Sequence, residues 1–387
     1  PPPPPPPPPP ATPTTLLSSA ASDVYKRQSP HLLLAVSGHG YGHLAQCAPV
    51  INALWRRIPG LKVTVCSQLD RDVISGRLER PFDYRRVAID PVLPMRNAWQ
   101  VDVPATLSVY AAFHRQGKAG LARDRALLDA LRPDLVLADI PWRLLLAARE
   151  AGMPVVALSS LNWAAVYRSY CGRAAGSGAV LEDMWRGYRA ADVFLRPEPA
   201  MAMPELGNAR AIGPVARTGT ADRDHLLAQL SLPTGTRTVL VALGGIRGEL
   251  PLATWPRVPD TAWLLPQAMQ SGRDDMPDCS RLPMAFNDML ASCDAVLTKP
   301  GYGTYTEAVC NGVPILTLAR PDWPETAGMN DWARQHGRLQ EISQAQFASG
   351  GFAAALQVLW QQPAVPPPAP TGIGEAAALL AARLPPG

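Results

Sequence analysis

Two histidines stand among glycines directly after the first apolar run of the chain, in the segment SGHGYGH. His39 and His43 alternate there with Gly38, Gly40 and Gly42. Glycine lets the backbone turn sharply and approach a ligand closely, and a histidine that titrates near neutral pH can remove a proton from a hydroxyl group. The segment therefore predicts a general base. The alternative is that either histidine caps the following helix or bonds a backbone carbonyl.

A metal site is not expected at this loop. His39 and His43 are four residues apart, but the loop is not a helix, and no third Cys or Asp ligand lies nearby in the sequence. We therefore expect neither a metal ion nor a resident cofactor.

A second segment, Asp294 to Leu318, indicates phosphate-binding chemistry. It reads as a strand, a helix and a strand, with Gly301 and Gly303 at the start of the helix. Such a unit presents helix-start N–H groups at the carboxyl edge of a parallel sheet, where phosphates bind. Lys299 adds a positive charge, and the Glu307 carboxylate can accept hydrogen bonds from two ribose hydroxyls. The alternative is an ordinary turn with glycines for close packing, because neither G-x-G-x-x-G nor G-x-x-x-x-G-K-[ST] is present.

The elements that position these residues alternate between apolar strands and helices, which is typical of an α/β fold with parallel sheets. The predicted strands are 31–37, 62–67, 84–89, 135–138, 154–159, 193–195, 238–243, 262–265, 295–297 and 315–318. The predicted helices are 44–57, 71–78, 142–151, 286–292, 332–337, 345–361 and 375–384, with helical character also after Thr106.

A length of 387 residues suggests two or three domains. We expect a disordered, non-native tail over 1–30, which begins with ten prolines. An N-terminal domain over 31–210 and a C-terminal domain over 211–362 follow. A Pro-rich linker over 363–372 and a helix within 373–387 complete the expected organisation.

Composition limits the partners and the compartment. The formal net charge of +4 does not call for a nucleic-acid partner. The six cysteines are scattered and form no C-x-x-C motif, which predicts a reducing, cytoplasmic setting. No run of about 18 apolar residues occurs, so no transmembrane helix is expected. Peripheral membrane contact stays open, and the oligomeric state is not readable.

The phosphate-binding segment resembles a known donor-binding core, Gly-x-x-Thr-x-x-Glu followed by Gly-x-Pro. Gly301, Thr304, Glu307, Gly312 and Pro314 fall on that core. It is found in the GT-B superfamily of sugar-nucleotide glycosyltransferases, which includes the family 28 N-acetylglucosaminyl transferases of cell-wall synthesis and the plant UDP-sugar transferases. The resemblance implies an α/β GT-B-like fold in which two Rossmann-like domains with parallel sheets face each other across a cleft.

Three segments are similar to the N-terminal glycosyltransferase-like region of plant arabinokinases and its stand-alone bacterial relatives. They are SGHGYGH, VLADIPWRLLLAAREAGMPVVALSSLNWAAVY and LTKPGYGTYTEAVCNGVPILTLARPDWPE. In order along the chain, they cover about residues 31–340.

The resemblance implies roles for individual residues. On the catalytic side, His43 matches the base, Asp139 matches the residue that orients it, and His39 lies beside them; Asp139 could instead cap the helix after Pro141. The implied donor-binding residues are Gly244, Gly245, Arg247, Lys299, Gly301, Gly303, Thr304, Glu307, Asp322, Glu325 and Asn330, although Arg247 reads equally well as a solvated surface residue. The implied acceptor-side residues are Gly40, Gly42, Trp99, His114, Asn162 and Trp163.

The resemblance also implies a reaction. We expect a glycosyltransferase that moves a sugar from a nucleoside-diphosphate donor, UDP-linked, to a hydroxyl acceptor without a metal. Retaining members of the fold carry Glu where this chain has Lys299, which favours inversion. Asp322-Trp323 replaces the usual Asp-Gln pair of the sugar-binding loop. A sugar-nucleotide 2-epimerase and a non-catalytic sugar-nucleotide-binding domain therefore stay open as alternatives.

Overall fold

A computed structural model describes residues 1, 29–96, 100–243, 250–265 and 272–386. Its strands are β1 (His31–Val36), β2 (Lys62–Ser67), β3 (Asp83–Arg86), β4 (Leu135–Asp139), β5 (Val155–Leu158), β6 (Val193–Pro197), β7 (Ala209–Ile212), β8 (Arg237–Ala242), β9 (Thr261–Leu264), β10 (Ala295–Thr298), β11 (Ile315–Leu318) and β12 (Leu339–Ile342).

Its helices connect and flank these strands. They are α1 (Gly42–Arg57), α2 (Arg71–Ser75), α3 (Val103–Arg115), α4 (Gly117–Leu131), α5 (Trp142–Glu150), α6 (Trp163–Cys171), α7 (Ser177–Ala190), α8 (Arg223–Gln229), α9 (Phe286–Ala291), α10 (Tyr302–Cys310), α11 (Thr326–His336), α12 (Gln344–Ser349), α13 (Ala353–Gln361) and α14 (Gly372–Ala381).

The strands form two parallel sheets, as the alternation of elements predicts. The order in the first is β3-β2-β1-β4-β5-β6-β7, and the order in the second is β12-β11-β10-β8-β9. Apolar clusters cover both faces of each sheet. Buried parallel strands read as continuous apolar runs, which is why β1, β4 and β11 were recognisable in the sequence. The expected fold class of two α/β domains with parallel sheets is confirmed.

The chain returns to the first sheet after completing the second. Ala376, Ala377 and Leu380 of α14 are fully buried against α1, in the same apolar cluster as β1 and β2. At the other junction, β7 continues the first sheet through Ile212, two residues beyond the expected boundary at 210. We call the first sheet with its helices and α14 the N-terminal domain, and the second sheet with α8 to α13 the C-terminal domain.

One predicted helix is two helices. The pattern over 345–361 is interrupted at Gly350, which ends α12 with φ of +77°. A β-carbon on Gly350 would lie 1.7 Å from the carbonyl oxygen of Thr254, so only glycine fits this turn. In the part of the chain that the structure describes, no helix is long and apolar enough to cross a membrane.

Candidate active site in the interdomain cleft

The pairing of β1 with β4 brings the glycine loop and Asp139 together. Val36, the last residue of β1, is in register with Asp139, the last residue of β4. The N–H of Ser37 then donates to the carbonyl oxygen of Asp139 over 2.7 Å. Both strands therefore end at one edge of the sheet, and the carboxyl edge of an open parallel sheet is where ligands bind.

His43 and Asp139 form a buried hydrogen-bonded pair at this edge. Nδ1 of His43 lies 2.7 Å from Oδ1 of Asp139, and their side chains are 4% and 0% exposed. Burial lowers the pKa of His43, but the charge and hydrogen bond of Asp139, with the charges of Asp90 and Glu325, raise it above its usual value overall. A carboxylate on Nδ1 leaves Nε2 as the nitrogen available for proton transfer, an arrangement suited to a general base.

His39 differs from His43 in its surroundings. Burial first, and then the positive charges of His43, Lys299 and Arg320, lower the pKa of His39 to about 3. The neutral ring stands edge-on to Trp163, with 5.1 Å between ring centroids, and the His43 ring is 5.3 Å from the same indole. The structure thus brings both histidines and Trp163 together, and of the two rings only that of His43 has a carboxylate partner among the described residues.

A second buried carboxylate, Asp90, was not identified from the sequence. Its Oδ2 accepts a hydrogen bond from Nε1 of Trp163 over 3.2 Å, and its Oδ1 is buried without a partner among the described residues. Burial raises the pKa of Asp90 to about 6, against the opposing effects of Ser37, His43 and Trp163. Asp90 follows a short exposed strand in an irregular loop, so no sequence pattern marks it.

The opposite wall of the cleft carries positive charge. Gly301 caps α10 without any side-chain hydrogen bond, which leaves the first N–H groups of the helix available. Lys299 lies just before this turn, and burial followed by the charge of Arg320 lowers its pKa to about 8. Arg320, which sequence reasoning missed, lies two residues after the end of β11 and is 5% exposed. Its position after a parallel strand was the available signal.

Glu325 joins the two walls. Its Oε1 accepts a hydrogen bond from Oγ of Ser160 in the N-terminal domain over 2.9 Å, and its Oε2 accepts one from Nε1 of Trp323 over 3.0 Å. Burial raises the pKa of Glu325, while those bonds and the charge of His43 oppose the rise. Sequence reasoning placed Glu325 at the donor sugar, and the structure places it across the cleft from the His43 pair.

Helix α10 also packs directly on the N-terminal domain. A β-carbon on Gly303 would lie 3.0 Å from that of Ala45 in α1, so this glycine allows a close helix approach. Glu307 is buried, which raises its pKa against the opposing effects of Arg77, Asn287 and Arg217. The charges of Arg77 and Arg217 therefore reach its carboxylate. Thr304 is half-buried in the first turn of α10, beside Gly301.

Other predicted residues have partners within their own elements or domains. Asn330 accepts from Tyr305 and donates to Glu341, so its amide bonds inside the C-terminal domain. His114 pairs with Asp183 of α7, and no described contact joins it to His43.

The remaining predictions fall into four groups. Asn162 caps α6 by accepting from the N–H of Ala165, and its buried Nδ2 has no partner among the described residues. Asp322 accepts from the Tyr170 hydroxyl across the domain interface. Gly40, with φ of +70°, and Gly42 are exposed in the histidine loop. Trp99, Gly244, Gly245 and Arg247, like residues 2–28 of the expected tail, lie outside the described residues.

Comparisons with known proteins bear on the fold and on part of the sequence. No family model matches the chain. The L-arabinokinase of Arabidopsis thaliana is 25% identical over 304 residues, which cover 76% of this chain and 28% of the arabinokinase. The chain therefore spans less than a third of that relative.

Solved structures of similar shape are mostly glycosyltransferases. The glycosyltransferase of kitacinnamycin has a TM-score of 0.62 and 21% identity, covering 92% of this chain and 100% of its own. The spinosyn rhamnosyltransferase SpnG complexed with thymidine diphosphate has a TM-score of 0.57 and 17% identity, covering 92% and 95%. A UDP-N-acetylglucosamine 2-epimerase has a TM-score of 0.50 and 15% identity, covering 89% and 94%. The chain therefore has the GT-B fold of these glycosyltransferases, and its sequence is similar to part of a plant arabinokinase.

Proposed function

We propose that this protein is an inverting glycosyltransferase that moves a sugar from a nucleoside-diphosphate donor, UDP-linked, to a hydroxyl group of an acceptor. One observation carries the proposal: a buried His43–Asp139 pair stands at one wall of the cleft, opposite a wall with two cations and a helix N-terminus. The first wall suits proton removal, and the second suits a diphosphate leaving group.

The chemical step uses Nε2 of His43. The acceptor hydroxyl oxygen attacks the anomeric carbon of the donor sugar, and its proton passes to Nε2. The bond between the anomeric carbon and the phosphate oxygen breaks, and the nucleoside diphosphate leaves with the electron pair. Asp139 holds Nδ1 and stabilises the imidazolium that forms. General-base assistance of this kind contributes roughly 10²–10⁴-fold in rate.

Groups of this chain stabilise the negative charge that develops on the departing diphosphate. Lys299 and the free N–H groups of α10 face the diphosphate in this proposal. A helix N-terminus contributes about 0.3–1 kcal/mol at an exposed site, so it acts together with the cation. Lys299 also occupies the position at which retaining relatives carry Glu, which supports a single displacement with inversion.

Nucleotide-sugar turnover by matched variants tests the proposal. Wild-type protein is incubated with a panel of UDP- and TDP-sugars and hydroxyl acceptors in EDTA, and nucleoside diphosphate release and the anomeric configuration of the product are measured. We expect release by wild type with inversion, loss of turnover with retained donor binding in His43→Ala, and unchanged turnover in His225→Ala, an exposed control on α8. Full activity of His43→Ala, or a retained anomeric configuration, would contradict the proposal.

A sugar-nucleotide 2-epimerase is the second candidate, because an epimerase shares the fold at a TM-score of 0.50. The same incubation separates the two functions. Formation of a sugar epimerised at C2 without any acceptor would favour the epimerase. Donor binding with no product of either kind would favour a sugar-nucleotide-binding domain.

A further inference from the structure

Arg320 is a buried cation whose hydrogen-bonding capacity is largely unused. It is 5% exposed, and its Nε and Nη2 have no hydrogen-bond partner among the described residues. The guanidinium lies over the ring of Trp323, with Cζ 4.2 Å from the ring centroid. Stacking satisfies the face of the guanidinium but not its N–H groups, which lie in its plane.

No carboxylate compensates this charge directly. The charges of Asp322 and Glu325 reach Arg320, but within the described ranges neither forms an ion pair with it. Both oxygens of Glu325 already accept hydrogen bonds from Ser160 and Trp323. A buried cation with unbonded donors is costly unless a partner of opposite charge completes it.

A second cation beside Arg320 increases that cost. The charge of Arg320 acts on Lys299 and contributes to lowering the pKa of the lysine, after burial. Both charges also act on His39 across the cleft. A buried cation and a half-buried one, next to a helix that begins without a side-chain cap, form a site suited to an anion with at least two negative charges.

We propose that Arg320 is a phosphate-binding residue that holds a diphosphate together with Lys299. The planar guanidinium presents two N–H groups that match two phosphate oxygens, whereas the Lys299 ammonium acts as a point charge. That the diphosphate belongs to a sugar-nucleotide donor rests on the proposed function. The anion site itself rests on the burial and the unused donors of Arg320, on the charge of Lys299 and on the uncapped start of α10.

Binding of magnesium-free pyrophosphate tests the site without a nucleotide. Calorimetry and thermal melting are run in EDTA on wild type, Arg320→Gln, Arg320→Lys and the exposed control Arg334→Gln. We expect pyrophosphate to bind wild type and the control equally, about 10–100-fold more weakly to Arg320→Gln, and with intermediate affinity to Arg320→Lys. Without the anion, Arg320→Gln is expected to melt at the wild-type temperature or above it, because the substitution removes an uncompensated buried charge.

Three results would overturn the proposal: no pyrophosphate binding by wild type, equal binding by Arg320→Gln, or a lower melting temperature of empty Arg320→Gln. The last would mean that Arg320 stabilises the empty protein. The proposed function fails separately: pyrophosphate binding that depends on Arg320, together with no turnover of any nucleotide sugar, would retain the anion site and reject the transferase. Turnover and donor affinity unaffected by Arg320→Gln would retain the transferase and reject the role of Arg320.

Discussion

Replacing Asp139 with Asn tests the proposed role of the His43–Asp139 pair most directly, because it removes a charge and keeps the shape of the side chain. The carboxylate lies 2.7 Å from Nδ1 of His43, and both groups are buried. Burial lowers the pKa of His43, and Asp139 is the largest effect that raises it. Asp139→Asn removes this effect and leaves that of burial, so we expect the pKa of His43 to fall.

The rate should change in two ways. The maximal rate of transfer should fall by roughly 10²–10⁴-fold, because a neutral amide cannot stabilise the imidazolium formed during proton removal. His43 acts as a base only when it is neutral, so activity should rise with pH through its pKa. The rising limb of the pH–rate profile should therefore lie at lower pH in Asp139→Asn than in wild type.

The stability that the His43–Asp139 pair contributes should fall with rising pH, whereas activity rises. Since the pKa of His43 is raised in the folded state, its contribution is fully present below the unfolded value of about 6.5 and is lost as pH rises through the folded pKa. Loss of a hydrogen bond between charged groups costs about 1.5–3 kcal/mol. We expect a loss of this size in Asp139→Asn near pH 5 and a smaller loss near pH 9.

Urea denaturation and initial-rate profiles across pH measure both effects. Asp124→Asn is a matched control, because Asp124 is a carboxylate of the same domain paired with Arg143 over 2.6 Å on α4 and α5. The control should lose stability without moving the pH–rate profile. A wild-type profile and rate in Asp139→Asn would refute the reasoning.

Three further predictions concern the opposite wall and the domain contact. Nucleotide affinity should fall by up to about fivefold between pH 8 and 9 as Lys299, whose pKa is about 8, loses its charge. Calorimetry should find no such fall in Lys299→Arg. In a urea titration, Ser160→Ala should lower the free energy of unfolding by about 1.5–3 kcal/mol, because it removes a donor to the buried Glu325 carboxylate. The control Ser169→Ala, which removes only a bond within its own helix, should have a smaller effect. Gly303→Leu should destabilise the protein by about 1–3 kcal/mol, because the new side chain meets Ala45. Gly178→Leu, at a helical glycine with open space around it, should not destabilise the protein. Equal melting temperatures for the two variants would contradict the described helix contact.

The sequence predicted the parts of the fold that follow from local apolar runs. Strands such as β2 and β11 were located to the residue or nearly so, because they are buried on both faces. The edge strand β12 was missed because its central residues are polar and partly exposed. Helices α6 and α7, which pack on α3 and α5, were also missed, although Val180, Met184 and Tyr188 of α7 recur at helical spacing.

Candidate site residues could be predicted from the sequence where a reactive or charged side chain lies near the end of an apolar strand. Asp139 ends β4 and Lys299 directly follows β10, and the sequence singled out both, together with His43 at the start of the helix after β1. Arg320 and Ser160 occupy equivalent places, but their importance depends on burial and on partners in other elements. The partner of His114 is sixty-nine residues away and that of Asn330 is eleven away on a different element, so neither pairing follows from sequence spacing.

The return of α14 to α1 makes the C-terminal domain an insertion within the N-terminal one. The chain crosses between the domains twice, so their relative motion is restricted to bending about the two crossings, and free rotation is not available. During synthesis, the apolar surface of α1 stays uncovered until residues 372–381 have left the ribosome. The His43–Asp139 pair therefore lies on a domain that cannot complete its own core before the C-terminal domain has been made.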